Sequence, residues 1–305
     1  MRLGFSIRIL GASGLSSYDP RQRGDLSASM MCLRDILHYL RRKRCSMYRM
    51  HPGLAPNVSD AAATARQLAE ASHEVALCGE LARSWDIRLS FHPYGDVILS
   101  SPSEELAERS RRTLEAQAAL LDAMGLGPEA VIVLHVGGVY DGLEPSLERF
   151  VRRVATLPRG VRARLALEND DHRYSLAQVK RAHQRCGIPL VLDVLHHHVH
   201  NPEGVPLQEA LAYAVQTWPV GVVPKIHYAT PRTELKTLGD GRLKLPTWTE
   251  HADFVDPFVF ARFMRESRHA GAFDIMLEAK ARDVALFKLR DDLERYAPDV
   301  AEWLR

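Results

Sequence analysis

The stretch "IPLVLDVLHHHVHN" (residues 188–201) joins an apolar run to one aspartate, Asp193, and then to four histidines within five positions. A short apolar run of this kind predicts a strand that is buried on both faces. A helical pattern begins a few residues later, at 206. The stretch is therefore typical of one β-then-α unit, and the number of such units along the chain decides the fold.

Seven other segments share the apolar, β-branched character of residues 189–194. They predict strands at 2–8, 46–50, 87–92, 130–136, 163–169, 222–228 and 273–279. Eight β-then-α units in one chain predict an α/β fold, a (β/α)8 TIM barrel. An open doubly wound sheet is disfavoured, because "GASG" (residues 11–14) after the first strand lacks the spacing of a GxGxxG phosphate loop.

Helical patterns, with apolar residues three and four positions apart, lie between these strands. Asp25 would cap the first helix. In the third helix Ser101 is the better N-cap, because Glu104 stands three positions later, and Ser103 is the alternative. The predicted helices are 26–42, 59–85, 101–125, 144–155, 175–185, 206–217, 258–270 and 281–295.

The composition is that of an ordinary globular protein. The 305 residues are 46% hydrophobic and 26% charged, and no Gly/Pro/Ser linker divides them, so a single TIM-barrel domain over 1–305 is expected. No apolar run approaches the ~20 residues of a membrane helix, so no membrane partner is expected. The four cysteines form no CxxC pair, which indicates a reducing, cytoplasmic compartment. The net charge of +2 neither demands nor excludes a nucleic-acid partner.

Six consecutive predicted strands end in a histidine or an acid. In a TIM barrel these carboxyl ends meet at one mouth, where active sites lie. One buried histidine is most simply a hydrogen-bonded core residue, but converging carboxylates and imidazoles repel or stay unpaired unless a cation compensates them. Mixed nitrogen and oxygen ligands suit zinc, manganese or iron better than magnesium. The six residues are His92, His135, Glu168, Asp193, His227 and Glu278.

Spacing adds two residues to this set. Lys225 stands two positions before His227, so both side chains point to one face of the strand. A bare ammonium inside the barrel is costly, so Lys225 is expected either to pair with a carboxylate or to be chemically modified. His196 lies three positions after Asp193, and a turn there would bring the two to neighbouring metals.

Four other histidines have more open roles. His251, in "EHAD" (residues 250–253), is either a further ligand or part of a helix N-terminus that a nearby aspartate caps. Within the histidine tract, His197 is expected to support the site without ligating. His198 and His200 are expected in the loop after the sixth strand.

The order of short motifs resembles one family, the UV-damage endonucleases, from residue 2 to about 280. These are "MYRMHPGLAP", "RLSFHP", "VLHVGGVY", "LALEND", "VLDVLHH", "PKIHYAT", "HAD" and "IMLEAK". The family is related to endonuclease IV within the xylose-isomerase-like barrels. The resemblance implies a metal-dependent DNA repair endonuclease, a phosphodiesterase that incises double-stranded damaged DNA 5′ of UV photoproducts or abasic sites. No stable protein partner is evident, and a nucleoid-associated cytoplasmic location is expected.

The resemblance also implies two or three divalent ions, Mn²⁺ ahead of Zn²⁺, and the residues that hold them. The first site would use Glu168, Asp193, His227 and Glu278; the second His92 and His135, with Glu168 bridging; the third His196 and His251, with Lys225 as a carboxylated lysine. Glu168, Lys225 and Glu278 are the expected catalytic residues, where ions would activate water and stabilise charge on the phosphate. The residues expected to bind substrate are Arg49, Tyr94, Asn169 and Lys280.

The chain departs from the family pattern in two places. Asp60 stands where the family has a metal-site histidine, and it is expected to ligate through oxygen. Gly95 and Asp96 replace a glutamine and an aromatic residue that probe the lesion. Glycine has no side chain to insert, and an aspartate near phosphates is unfavourable. Tyr94 is the candidate replacement.

A metal-dependent sugar or small-molecule isomerase or epimerase is the alternative function. The same barrel supports many chemistries, and such enzymes share a Glu/Asp/His/Glu metal set. A narrow mouth without a basic groove would favour this alternative.

Overall fold

A computed structural model describes residues 1–15, 25–56 and 60–304 of the chain. Eight parallel strands lie at the eight predicted positions, each shorter than its apolar run by a few residues. They are β1 Leu3–Ser6, β2 Met47–Arg49, β3 Arg88–Ser90, β4 Ile132–Leu134, β5 Leu165–Glu168, β6 Leu190–Val191, β7 Lys225–Tyr228 and β10 Asp274–Leu277. Between β7 and β10, the strands β8 Lys236–Thr237 and β9 Leu243–Lys244 form a separate antiparallel hairpin.

The eight parallel strands form a ring. Five are hydrogen-bonded in the order β3-β2-β1-β10-β7, and three in the order β4-β5-β6. Two single parallel bridges, Phe91 to Ile132 and Asp193 to His227, join the two sheets. The ring therefore has the strand order of a TIM barrel, with two narrow junctions where one bridge replaces a full ladder. The predicted fold class is confirmed, and one junction lies at two candidate ligands.

Helices surround this ring. They are α1 Leu26–Arg42, α2 Ala61–Glu70, α3 Ser72–Ser84, α4 Glu104–Ala123, α5 Leu143–Thr156, α6 Arg159–Arg164, α7 Leu176–Cys186, α8 Val194–Val199, α9 Leu207–Gln216, α10 Pro257–Glu266, α11 Arg282–Tyr296 and α12 Pro298–Ala301, with 3-10 turns at Pro52–Leu54 and Ser267–Ala270. Asp25 caps α1, as predicted. The predicted 59–85 helix divides at Ala71, and the cap of α4 is Ser103 rather than Ser101, because the Ser103 side chain accepts from the Leu106 N–H.

The amino end of the ring is closed by a buried ion pair. Arg88 begins β3 and donates to Asp274, the first residue of β10, over 2.9 Å and to the Val223 carbonyl over 2.8 Å. Arg2 binds the same carboxylate over 3.1 Å. These contacts fill the end of the barrel opposite the mouth, so the mouth is the open end for chemistry.

Candidate metal centre

The carboxylate of Glu168, the last residue of β5, lies at the centre of the mouth and is buried. His227 Nδ1 is 2.9 Å from its Oε1, and His92 Nε2 is 3.1 Å from its Oε2. His135 Nε2 lies 3.8 Å from Oε2, and His196 Nδ1 lies 3.7 Å from Oε1. Four imidazoles from four elements thus surround one carboxylate, which places Glu168 between two sets of candidate ligands.

Two sets of three candidate ligands are close enough to hold an ion each. In both sets, His92–His135–Glu168 and Glu168–Asp193–His227, one ligand atom per residue lies within 4.8 Å of the others. Asp193 Oδ2 and His227 Nε2 are buried without a hydrogen-bond partner. Buried polar atoms normally have partners, so these two atoms fit a cation that both would ligate.

Glu278 and two further histidines extend the cluster. Glu278 follows β10, and its Oε1 accepts from Arg49 Nη1 and lies 3.2 Å from His227 Nδ1. His251 Nδ1 contacts the Glu278 carbonyl over 2.8 Å and lies 3.8 Å from its carboxylate. The imidazole rings form a chain with centroid separations of 5.2 to 6.1 Å, in the order His227, His92, His135, His196, His251.

The charges of the cluster favour bound cations. Burial opposes ionisation of Glu168, but His227 and His135 outweigh it and hold its pKa well below the usual range. Burial, helped by the charge of Glu168 and opposed by His196, raises the pKa of Asp193. Burial opposes the charge of His196, yet Asp193 and Glu168 raise its pKa to about 9. The carboxylates therefore attract positive charge, and a proton on His196 supplies part of it when no ion does.

Asp193 is held in place by its neighbour on the adjacent strand end. The buried Asn169 side chain donates to the Asp193 carbonyl over 3.1 Å and accepts from the Asp193 N–H over 2.9 Å. Substrate binding by Asn169 stays a prediction, and in this structure its side chain orients a candidate ligand. Asp193 Oδ1 in turn accepts from the His196 N–H over 2.8 Å and caps α8.

The histidine tract is helical. Residues 194–199 form α8, so the expectation of a loop was wrong for His198, which lies in the helix, and His200 is its C-cap. Asp193 favours the helix, because as N-cap it accepts from the His196 N–H, one of the free N–H groups of the first turn. His198 is exposed, whereas His197 is buried with Nε2 2.9 Å from the Val205 carbonyl.

Lys225 lies inside the barrel with no exposed surface. Its Nζ donates to Ser90 Oγ over 3.1 Å. Burial, together with the charges of Arg88 and Arg49, lowers the pKa of Lys225 well below its usual value. Ser90 was not among the predicted residues, although its position two before His92 places both on one face of that segment.

The comparisons with known proteins agree with this geometry. The sequence model of the UV-endonuclease UvdE family matches residues 25–302. The chain belongs to this family. A UV DNA damage endonuclease of Halalkalibacterium halodurans is 35% identical over 271 residues, which cover 87% of this chain and 80% of the relative.

Two solved structures have folds similar to that of this chain. The crystal structure of SacUVDE matches with a TM-score of 0.81 and 29% identity, covering 97% of this chain and 98% of that one. Endonuclease IV from Thermus thermophilus matches with a TM-score of 0.57 and 16% identity over 97% of this chain and 100% of that one, and shows the shared barrel fold. Membership of an endonuclease family decides against the sugar isomerase alternative. None of the described helices has the length and apolar content needed to cross a membrane.

Asp60 is the residue that was expected to replace a metal-site histidine of the family. This residue is exposed and caps α2, where its Oδ1 accepts from the Ala63 N–H over 2.6 Å. It belongs to none of the groups of three candidate ligands found in the described residues. These contacts favour a capping role for Asp60 over a role as a metal ligand.

The loop after β3 holds Gly95 and Asp96, which were expected to replace the residues that probe the lesion. The Tyr94 side chain is about half exposed, and its ring meets the His51 ring edge-on at 5.8 Å. A Cβ added at Gly95 would meet no atom within 4 Å. The Asp96 side chain is exposed and lies 3.7 Å from Arg109. Gly95 itself offers no side chain at this point of the loop, and the space beside it is open.

A third acidic group follows β5, consisting of Asp170, Asp171 and His172. Asp170 Oδ1 accepts from the N–H groups of His172, Arg173 and Tyr174, so it fixes the turn. Asp171 contacts the ring of its neighbour His172 over 2.6 Å. These contacts use the oxygens locally, and the group is best explained as loop structure.

Proposed function

We propose that this member of the UvdE family incises duplex DNA on the 5′ side of UV photoproducts or abasic sites with the help of bound divalent ions. Its membership of the family makes it a DNA repair endonuclease. The main support for metal dependence is the buried cluster around Glu168, in which Asp193 Oδ2 and His227 Nε2 have no hydrogen-bond partner. With DNA as substrate, we also propose a cytoplasmic, nucleoid-associated location.

The proposed ligand sets follow the contacts. One ion would be held by Glu168, Asp193, His227 and Glu278, and a second by His92 and His135 with Glu168 shared. His196 and His251, whose ring centroids are 5.9 Å apart, would hold a third. Imidazole with carboxylate favours manganese, with zinc as the second choice. Asp60 is left out of the set because its carboxylate caps α2.

Bound ions would supply an activated water and electrostatic stabilisation of the phosphate at which it attacks. The chain itself positions the groups around that event. Glu168 holds the two ligand sets together, and Asn169 fixes Asp193 through its backbone. Arg49 donates to Glu278 and so orients that carboxylate. The UvdE barrel thus preorganises the charges before the substrate arrives.

Lys225 is proposed to be carboxylated, as the family resemblance implies. The support is its environment: burial and the charges of Arg88 and Arg49 lower the pKa of Lys225, which favours the unprotonated amine, and only an unprotonated amine adds to carbon dioxide. The carbamate would be an anionic oxygen ligand in a place where a bare ammonium is costly. The intact mass of the Lys225 peptide, measured without acid treatment, tests this.

Lesion recognition is proposed to involve Tyr94. An exposed aromatic ring beside the metal cluster can stack on a displaced base. Gly95 contributes no side chain, and Asp96 would face phosphates with like charge. We therefore expect weaker discrimination of the lesion than a probing pair of side chains would give. Lys280, half-buried three residues after the carboxyl end of β10, is a second candidate for DNA contact.

The test is an incision assay on duplexes that carry one defined photoproduct or one abasic site, with protein of measured metal content. Glu168→Gln should reduce the incision rate by at least about 10³-fold, because it removes the anion common to both ligand sets. Glu148→Gln, an exposed change on α5, is the matched control and should leave the rate unchanged. Absence of incision by folded, metal-loaded wild type would contradict the proposed function.

A further inference from the structure

Three arginines lie at or just after the carboxyl ends of neighbouring strands, on one side of the barrel mouth. β1 lies between β2 and β10 in the sheet, and each of these strands leads to an arginine at its carboxyl end. Arg49 is the last residue of β2, Arg8 follows β1 by two positions, and Arg282 begins the helix after β10. We call these three residues the arginine corner. It borders the metal cluster through the Arg49–Glu278 contact.

The backbone of the arginine corner is held in two uncommon conformations. Ile7 has a φ of 64°, and the Arg8 N–H bonds the Ser6 carbonyl over 2.8 Å, which closes a tight γ-turn. Arg282 has a φ of 52°. Positive φ is rare for residues other than glycine, and for a β-branched residue it is an outlier that occurs preferentially at functional sites. Both residues lie in turns just after strand ends at the barrel mouth.

The guanidinium of Arg282 is also fixed. Its Nη1 donates to Ser6 Oγ over 2.8 Å, so the side chain lies across the end of β1. Burial and the charges of Arg49 and Arg8 lower the pKa of Arg282, so both cations act on this guanidinium. A partly buried cation that faces like charges is unfavourable without a counterion.

The described residues supply no dedicated counterion. In that part of the chain neither Arg8 nor Arg282 forms an ion pair with a carboxylate. The acid that acts on Arg282 is Glu278, and this residue already accepts from Arg49 and belongs to the proposed ligand set. The corner therefore has excess positive charge beside the place where a phosphodiester must lie.

We propose that Arg8 and Arg282 form a phosphate-binding subsite that holds a backbone phosphate of the DNA strand, next to the phosphate that is cleaved. Guanidinium groups bind phosphate through two parallel hydrogen bonds, and a fixed fork loses little entropy on binding. The subsite rests on the proposed function, since it assumes DNA as the ligand. Arg49 orients Glu278 and is not part of it.

The experiment measures DNA binding and incision over a range of salt concentrations. Each phosphate contact contributes about 0.9 to the slope of log K against log salt for duplex DNA. Replacement of both arginines, Arg8→Gln with Arg282→Gln, should lower the slope by about one and raise KM about tenfold, with kcat within about twofold. Arg282→Lys should retain part of the affinity. The metal content and Tm of each variant are measured in parallel.

Arg152→Gln is the matched control, because Arg152 is an exposed arginine on the outer helix α5. It should leave the slope and KM unchanged. An unchanged slope in the double variant would overturn the subsite, and so would a fall in kcat with KM unchanged, since that result assigns the arginines to the metal centre. Arg8→Gln alone, at an exposed position, serves if the double variant is unstable.

Two further arms separate the alternatives. Binding to an undamaged duplex, followed by anisotropy, tests the subsite even if the wild type incises no lesion, so failure of the proposed function is seen separately. Inorganic phosphate, titrated at constant ionic strength, should compete only weakly with duplex DNA for the wild type, and more weakly still for the double variant. Strong competition that only the wild type shows would overturn the assignment to DNA in favour of a free phosphate ion.

Discussion

The ends of β5 and β3 lie on the same mouth but differ in how much surrounds them. Glu168, at the end of β5, has four imidazoles within 3.8 Å of its carboxylate. Gly95, in the loop after β3, has open space where a Cβ would lie. A change at Glu168 alters the environment of these four imidazoles, whereas a Cβ added at Gly95 meets no neighbouring atom. The chemistry of the mouth is therefore constrained by mutual contacts, and the recognition loop is free to vary.

Removal of bound metal should have the largest effect on the cluster around Glu168. Dialysis against a chelator should abolish incision, and it should lower Tm, because a ligand at a hundred times its Kd stabilises the folded state by about 2.7 kcal/mol. Manganese added back should restore both. Calorimetry and the incision assay are the measurements. Full activity in protein whose measured metal content is zero would refute the metal dependence.

A smaller effect is expected from Asn169, which holds Asp193 without belonging to the ligand set. Asn169→Ala takes away the acceptor of the buried Asp193 N–H and leaves the Asp193 carbonyl bonded to the His197 N–H. Asp193 is then held less firmly, so metal affinity should fall by about 10- to 100-fold. Metal titration followed by incision measures this.

Asn201 offers a matched control. Its side chain brackets the backbone of Val205 in the same way, over 2.8 and 3.0 Å, outside the proposed ligand sets. Asn201→Ala should lower Tm and leave metal affinity unchanged. Equal losses of affinity in both variants would show that general destabilisation, and not the position of Asp193, is the cause.

In the open loop after β3, added side chains should improve discrimination between damaged and undamaged DNA. Gly95→Gln with Asp96→Tyr fills open space and removes an exposed anion. Aromatic stacking on a base contributes about 1–3 kcal/mol, so the ratio of damaged to undamaged duplex affinity should rise about tenfold. Competition binding with the two duplexes measures the ratio.

Charge and side-chain insertion can be separated at the same two positions. Gly95→Ala with Asp96→Asn removes the negative charge but adds no probing group. It should strengthen binding to both duplexes alike and leave their ratio unchanged. If this control reproduces the whole gain, the loop acts through electrostatics alone and Tyr94 already supplies the contact with the lesion.

The sequence predicts best where one physical signal dominates. Eight apolar runs located all eight barrel strands, and their terminal residues located the cluster, since carboxyl ends of parallel strands converge. The antiparallel hairpin of β8 and β9 was not predicted, although Asp240–Gly241 at its turn is a hairpin signal.

Other features depended on geometry that spacing does not contain. Ser101 and Ser103 both carry a capping hydroxyl, and only the path of the chain selects Ser103. The apolar spacing runs through Ala71 without Gly or Pro, so the division between α2 and α3 has no local signal. The role of Asn169 arises from the neighbouring strand end, 24 residues away.

The smallest effect is expected at Asp60, where the structure separates two roles. If the carboxylate only caps α2, Asp60→Ala should cost about 1 kcal/mol of unfolding free energy, and Asp60→Ser should recover most of it, because serine is an equally good N-cap. Incision and metal content should then stay within about twofold in both variants. A ligand role would give the opposite pattern, since the serine hydroxyl caps the helix but is a poor substitute for a carboxylate at a metal. Denaturant unfolding beside metal analysis distinguishes them, and loss of an ion in the serine variant would return Asp60 to the metal centre.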